Sequence, residues 1–335
     1  MRAMVLSEIV SLQDCSTPLQ LQDLPRPRPA GNEVLVKILA CGVCHTELDE
    51  IEGRTPPPRL PVVPGHEIVG VVSGLGEKVS RLEIGMRVGV GWIHHSDGSE
   101  NENTSPAFCA CGRDVNGGYA EYMTVPEDYA YPIPSNFSDA EAAPLLCAGA
   151  IGYRALRIAS IVDGETLGLT GFGGSAHLVL QLARHLYPQT RVFVFARDAQ
   201  TRLFAKQQGA DWVGDTSEQA PEPLHAIIDT TPAWLPVLKA MNNLRASGRL
   251  VINAIRKEDH DKKVLAELSY HEHLWMEKEI KSVANITAGD IREFLDIAAA
   301  IPIRPEIQTY PLEDANQAIM ELRDNTVKGA KVLLM

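Results

Sequence analysis

Residues 166–186 read TLGLTGFGGSAHLVLQLARHL: an apolar run of strand character, a glycine-rich turn, then an apolar stretch of helical length. Gly171, Gly173 and Ala176 satisfy G-x-G-x-x-[GA], with Gly174 inside the same turn. In that spacing the first glycine permits a tight turn and the second lets backbone approach a pyrophosphate. The small third residue lets helix pack on strand, and the helix N-terminus faces the anion. A lone match is weak, but this one follows a strand pattern and opens a helix within an alternating unit, which predicts a dinucleotide site. Outward from it, RVFVFA (191–196), a helix to Gly209, AIIDTT (226–231), a helix through LPVLKAMNNL and RLVINAI (249–255) continue the alternation. Strands alternating with helices predict an α/β architecture with a doubly wound parallel sheet.

A site for NAD usually ends its second strand in an acidic residue that accepts from the ribose hydroxyls. Ala196 holds that place here, and Arg197 follows it. A small neutral residue followed by Arg removes repulsion and supplies a cation for a 2′-phosphate, so NADP is the expected cofactor. The alternative is NAD, with Asp198 serving the ribose and Arg197 a solvated surface charge.

The other stretches are organised differently. Residues 1–148 hold short β-like runs broken by Gly and Pro, such as VLVKILA (34–40), EIVGVVSGLG (67–76) and RVGVGWI (87–93). They predict an irregular, mostly antiparallel β domain. The cofactor domain is expected over 149–285, and the tail, 286–335, is expected to return to the first domain. At 335 residues, 45% hydrophobic and 22% charged, the chain is long enough for two domains with substantial cores. Its net charge of −12 argues against nucleic-acid binding, which depends on clustered Lys and Arg. No apolar run reaches membrane-spanning length and the N-terminus lacks a signal-peptide pattern, so a cytoplasmic protein without a membrane partner is expected. Six cysteines in that setting are more plausibly thiols or metal ligands than a disulfide framework.

Three segments carry such ligand types. CGVCHTELDEIEG (41–53) supplies Cys44 and Thr46, PVVPGHEIVGVV (61–72) supplies His66 and Glu67, and AAPLLCAGAIGYRAL (142–156) supplies Cys147. Singly, each Cys or His is more often a buried thiol or a satisfied ring than a ligand. Together, with GVCHT, GHE-x-x-G-x-V, GGYAEY (117–122), AAPLLCAG, the glycine turn and SVAN in that order, the chain resembles the zinc-dependent medium-chain alcohol dehydrogenases from end to end. The resemblance implies a GroES-like catalytic domain beside a Rossmann cofactor domain, and hydride transfer between a nicotinamide cofactor and an alcohol/aldehyde pair.

It further implies one catalytic zinc per chain held by Cys44, His66 and Cys147, with Glu67 beside it or as an occasional replacement ligand. Two thiolates, one imidazole and an open fourth position suit a catalytic rather than a closed structural zinc. Thr46 would begin a proton path. Where the family usually has Asp to orient the zinc-binding His, this chain has Glu47, and at a frequent relay-His position it has Asp49, which is either a proton relay or a solvated carboxylate. Trp92 and Ile93 match positions lining the substrate cleft or, as bulky apolar residues, are ordinary core, and Lys328 is a candidate contact to cofactor phosphate. His94 and His95 read as loop residues. The implied partners are a small-molecule alcohol or aldehyde and further copies of the chain, as a homodimer or homotetramer.

The polar loop HHSDGSENENTSPAFCACG (94–112) places Asp97, Glu100, Asn103 and Cys111 where the family's full members have four structural-zinc cysteines. Structural zinc sites are built overwhelmingly from Cys and His, so the expectation is a vacated site with no structural zinc. The loop must then be held by hydrogen bonds, packing or a subunit neighbour. Two other readings stand beside the enzyme: a zinc-free reductase of the same fold acting on quinones or activated double bonds, and a noncatalytic dehydrogenase-fold binding protein.

Overall fold

Every residue of the strand Thr166–Thr170 is buried, the mark of a strand covered on both faces. A computed structural model of the chain, describing residues 1–301, 303–324 and 329–335, places this strand inside a parallel sheet. The strand order is Trp212–Gly214, Arg191–Phe195, Thr166–Thr170, Leu224–Asp229, Leu244–Ile252, Glu279–Ser282. Numbered along the chain this is 3-2-1-4-5-6, the doubly wound arrangement whose order reverses beside its first strand. Helices Gly174–Leu186, Ala199–Gln207 and Leu235–Asn243 connect the strands. Phe193, Phe195, Ile227 and Leu250 pack with Val237, Met241 and Leu244 in one apolar core. The short strand Trp212–Gly214 has no counterpart in the sequence reading; it is held by the Trp212 ring, 5.2 Å from that of Phe195.

This sheet belongs to a compact unit, Ile151–Asn285; the second unit joins Met1–Ala150 to Ile286–Met335. There the strand Glu33–Val43 is the organiser, pairing antiparallel with Glu67–Leu75, Tyr122–Pro126 and Ala330–Leu334. Ala330–Leu334 also pairs parallel with Ile307–Pro311, so the sheet is mixed. Near-continuous burial of Val34, Val36, Ile38, Ala40 and Cys41 makes this long strand the spine of the core. Ile93–His95 and Cys109–Ala110 form a separate two-stranded ribbon. Among the described residues, no helix is long and apolar enough to cross a membrane.

Candidate active site

The strand Glu33–Val43 runs straight into Cys44, whose extended backbone caps the helix His45–Ile51. The first N–H groups of a helix have no partners within it, and Glu47 satisfies one: its Oε2 accepts from the Cys44 N–H at 2.8 Å. The other oxygen of the same carboxylate, Oε1, lies 2.7 Å from His66 Nδ1. Both side chains are essentially without solvent exposure. Glu47, longer than Asp by a methylene, therefore reaches the histidine while remaining tied to the helix start. Both ring nitrogens of His66 are buried; Nδ1 is in ion-pair contact with Glu47, and neither nitrogen meets hydrogen-bond geometry.

His66 precedes Glu67, which opens the strand Glu67–Leu75 and lies opposite Gly42 in the antiparallel register. A Cβ on Gly42 would come within 1.8 Å of Glu67 Oε2, so the absent side chain is what admits the carboxylate. Cys147 follows the buried turn Ala143–Leu146 and brings its Sγ to 4.0 Å from Cys44 Sγ. That separation is far beyond the roughly 2 Å of a disulfide, and both cysteines are free. Candidate donor atoms of Cys44, His66, Glu67 and Cys147 all lie within 4.8 Å of one another, the two thiols half-buried and the other two groups buried.

The electrostatics of this cluster favour a cation. The Cys147 thiol, with help from His66, holds the Cys44 thiol well below its usual pKa, and the Cys147 thiol is correspondingly pushed well up by Cys44. Burial, then the Cys44 thiolate, pushes Glu67 well above the carboxylate range. Burial opposes a charged His66 ring, yet Glu47 and Cys44 hold its pKa well above normal. Two thiols, an imidazole and a carboxylate brought together largely away from water form a donor set to which a zinc ion is suited by charge, softness and ligand type.

Thr46 Oγ1 is 3.6 Å from Cys44 Sγ. Trp92 is half-buried, with its ring centroid 5.9 Å from that of His66 and the Arg113 guanidinium 5.8 Å away. Of the two readings of Ile93, cleft wall or core, its lack of any accessible surface favours core; it pairs with Ala110. Asp49, one of the two readings of which is a solvated carboxylate, is only 3% exposed, and its Oδ1 receives Arg54 Nε at 2.5 Å.

The four expected vacated positions part company. Asp97 and Glu100 are exposed, whereas Asn103 and Cys111 are buried. Asp97 accepts from its near neighbour, the Ser99 N–H, at 3.0 Å, and the Cys111 N–H donates to Trp92 O at 2.8 Å. The loop is fastened by a residue that sequence reasoning misses, Glu102. Buried, it accepts from Tyr129 Oη at 2.9 Å and from the Ala288 N–H at 2.6 Å, at the start of the helix Ala288–Ala300. Nothing in SENENT distinguishes this acid from its neighbours, because both partners are remote in sequence.

In the unit Ile151–Asn285, Gly171 takes φ +77°, a left-handed conformation that disfavours other residues, and its N–H donates to Phe195 O at 2.9 Å. Gly173 caps the helix Gly174–Leu186. A Cβ on Gly173 or Gly174 would meet nothing within 4 Å, so the turn leaves open space at the helix N-terminus, while Ala176 is fully buried. An open, donor-rich cradle at the carboxyl end of the first strand fits a pyrophosphate. Arg197 is exposed just beyond the strand Arg191–Phe195. Asp198 is occupied as a helix cap, accepting from the Thr201 N–H at 2.7 Å and Oγ1 at 2.9 Å. Lys328 lies outside the described residues. A further group escapes sequence reasoning: Asp229, fully buried at the end of its strand, accepts from Thr170 and Thr231 hydroxyls at 2.6 and 2.7 Å and pairs with Lys257. Its only signal is an acid closing the apolar run AIID.

Residues 30–135 match the model of the alcohol dehydrogenase GroES-like domain. A protein of Mycobacterium tuberculosis named probable alcohol dehydrogenase AdhA is 40% identical over 329 residues, covering 95% of this chain and 93% of its own. A protein of Sulfurisphaera tokodaii named NAD-dependent alcohol dehydrogenase is 32% identical over 364 residues, with complete coverage of both. Among solved structures, a cinnamyl alcohol dehydrogenase of Sorghum bicolor superposes with a TM-score of 0.84 at 25% identity, covering 99% of this chain and 96% of that one. With a catalytic-domain match and relatives alike along nearly their whole length, the chain belongs to the medium-chain alcohol dehydrogenase family.

Proposed function

We propose that the protein is a zinc-dependent, nicotinamide-linked oxidoreductase that interconverts small alcohols and aldehydes, including aromatic ones. The observation that carries this reading is the convergence of Cys44, His66, Glu67 and Cys147, from three separate segments, within 4.8 Å. Zinc held there by Cys44, His66 and Cys147 would act as a Lewis acid on the substrate oxygen, and the nicotinamide would supply or accept the hydride. Glu67 stands ready beside the set as a replacement ligand.

The chain's own residues do the rest. Glu47 fixes the ring of His66 through Nδ1 and so leaves Nε2 as its ligating atom. Thr46 Oγ1, close to the Cys44 sulfur, relays the proton that an alcohol gives up, taking it as its own hydroxyl proton passes on to water, and the relay runs in reverse in reduction. Trp92 provides an apolar wall near His66. We read Asp49 as an anchor for the end of its helix through Arg54 rather than as a proton relay, since its carboxylate is buried in that ion pair. Gly171, Gly173, Gly174 and Ala176 form the pyrophosphate cradle. Arg197 supplies the cation for a 2′-phosphate while Asp198 is engaged in its cap, a pairing that supports NADP over NAD despite the name borne by the Sulfurisphaera relative. Assembly as a dimer or tetramer accompanies this reading through family membership.

The test is turnover across a panel of alcohols and aldehydes with both cofactors, alongside metal analysis. Oxidation that needs zinc supports the proposal. Reduction of quinones or enones without zinc, and no alcohol oxidation, would establish the zinc-free alternative instead.

A further inference from the structure

A second group of ligand-type side chains lies outside the cluster described above. His94, His95 and Cys109 bring one donor atom each to within 4.8 Å of one another. Consecutive residues of a regular strand point to opposite faces, so His94 and His95 should diverge. They do not, because the ribbon carries a register shift: Ile93 is opposite Ala110 and His95 is opposite Cys109, leaving two residues on one strand against a single step on the other. A bulge of this kind re-aims side chains, and here it turns both imidazoles toward the cysteine across the ribbon.

The hydrogen bonds fix which nitrogen faces the group. His94 is buried, and its Nε2 lies 3.1 Å from Thr124 O, which can only accept. Nε2 therefore carries the proton, and Nδ1 of His94 presents a lone pair. That lone pair points at His95 Nδ1, 3.0 Å away. Without a metal, His95 Nδ1 donates its proton to that lone pair, and the two nitrogens are close enough to ligate one ion from adjacent corners of a tetrahedron. Cys109 is half-buried and free, and His95 is exposed, so a hydrated ion has access from one side. Asp114, the nearby acid, is committed to Arg113 and to the Ala110 N–H.

We propose that His94, His95 and Cys109 form a second metal site, for a borderline-soft first-row dication such as Zn²⁺ or Co²⁺. Binding displaces the proton shared by the two imidazoles and the proton of the Cys109 thiol, giving two nitrogens, one thiolate and an open fourth position for water. The site uses none of the residues at Asp97, Glu100, Asn103 and Cys111. It clamps the bulged ribbon to the strand Tyr122–Pro126 through the Thr124 carbonyl, at the root of the loop that has lost the four-cysteine pattern. It adds a cation to the single zinc expected from the sequence, and it does not rest on the reading of Cys44, His66 and Cys147.

The experiment is equilibrium dialysis of the holoenzyme against buffered Co²⁺, counting zinc plus cobalt per chain and recording the near-ultraviolet thiolate-to-cobalt absorption. The proteins compared are the wild type, His95→Ala, the double variant His95→Ala/Cys109→Ser, and Cys147→Ser. The double variant should hold one metal fewer per chain than the wild type while keeping its alcohol turnover, and His95→Ala alone should bind that metal at least about tenfold more weakly, the scale on which even supporting residues act at metal sites. Cys147→Ser should retain the extra metal, so failure of the catalytic reading would be seen separately. Equal metal counts in wild type and double variant, which would leave a His94–His95 hydrogen bond as the whole interaction, overturn the proposal.

Discussion

Glu47 Oε1 stands 2.7 Å from His66 Nδ1 while Oε2 of the same carboxylate accepts the Cys44 N–H at 2.8 Å. One side chain thus sets the orientation of one proposed ligand and the backbone of another. Glu47→Ala removes both constraints. We expect zinc affinity to fall by about 10- to 100-fold, measured by competition with a chromogenic chelator. Unchanged retention would mean that the ring is held by something other than Glu47.

Gly42 lies opposite Glu67, and a methyl group in place of its hydrogen would sit 1.8 Å from Glu67 Oε2. Gly42→Ala must displace the carboxylate or the strand. An overpacked core position costs about 1–3 kcal/mol, so the midpoint of denaturant unfolding should fall accordingly. A variant as stable as the wild type would contradict the packing described.

Arg197 and Asp198 separate the two cofactor readings. Arg197→Ala should raise KM for NADP about tenfold or more, with kcat and the use of NAD little changed, since a hydrogen bond to a charged group contributes about 1.5–3 kcal/mol. Asp198→Ala should leave KM for NAD unaltered and lower the Tm through loss of the cap. The backbone N–H of Thr201 holds the Asp198 carboxyl below its usual pKa. The folded pKa being the lower one, the cap's contribution is complete above the unfolded value of about 3.9 and is lost as pH falls through the folded value. The Tm difference between wild type and Asp198→Ala should therefore vanish in acid. A large rise in KM for NAD would instead assign Asp198 to the ribose.

Buried Asp49 forms an ion pair at 2.5 Å with the partly exposed Arg54, which Glu52 also contacts. Asp49→Asn leaves Arg54 with Glu52 as its remaining carboxylate partner, and losing the charge-assisted bond should cost about 0.5–1.5 kcal/mol of stability. The pH profile of kcat should stay where it is. A displaced profile would restore Asp49 to a proton relay.

Much of the cofactor unit is legible in the sequence because each of its signals reports a local requirement. The turn at Gly171 needs a positive φ, and buried parallel strands need unbroken apolar runs. The strand Trp212–Gly214 escapes such reading since three residues leave too short a pattern. Cys44, His66 and Cys147 can be singled out by residue type and order, but the reach of Glu47 depends on its place in the first turn of a helix, which spacing alone does not give. Glu102 and Ala288 are 186 residues apart, and Asp229 and Lys257 are 28 apart; no local pattern announces either pair. His94 and His95 read as loop residues because the bulge that makes them converge exists only once the ribbon has formed.

The most direct test of the account is a zinc titration of chelator-stripped protein followed by alcohol oxidation, in the wild type, Cys44→Ser and His95→Ala. Activity should be absent after stripping and return with zinc in the wild type and in His95→Ala, while Cys44→Ser stays inactive at every zinc concentration. Full alcohol turnover by the stripped wild type, or by Cys44→Ser, would contradict it.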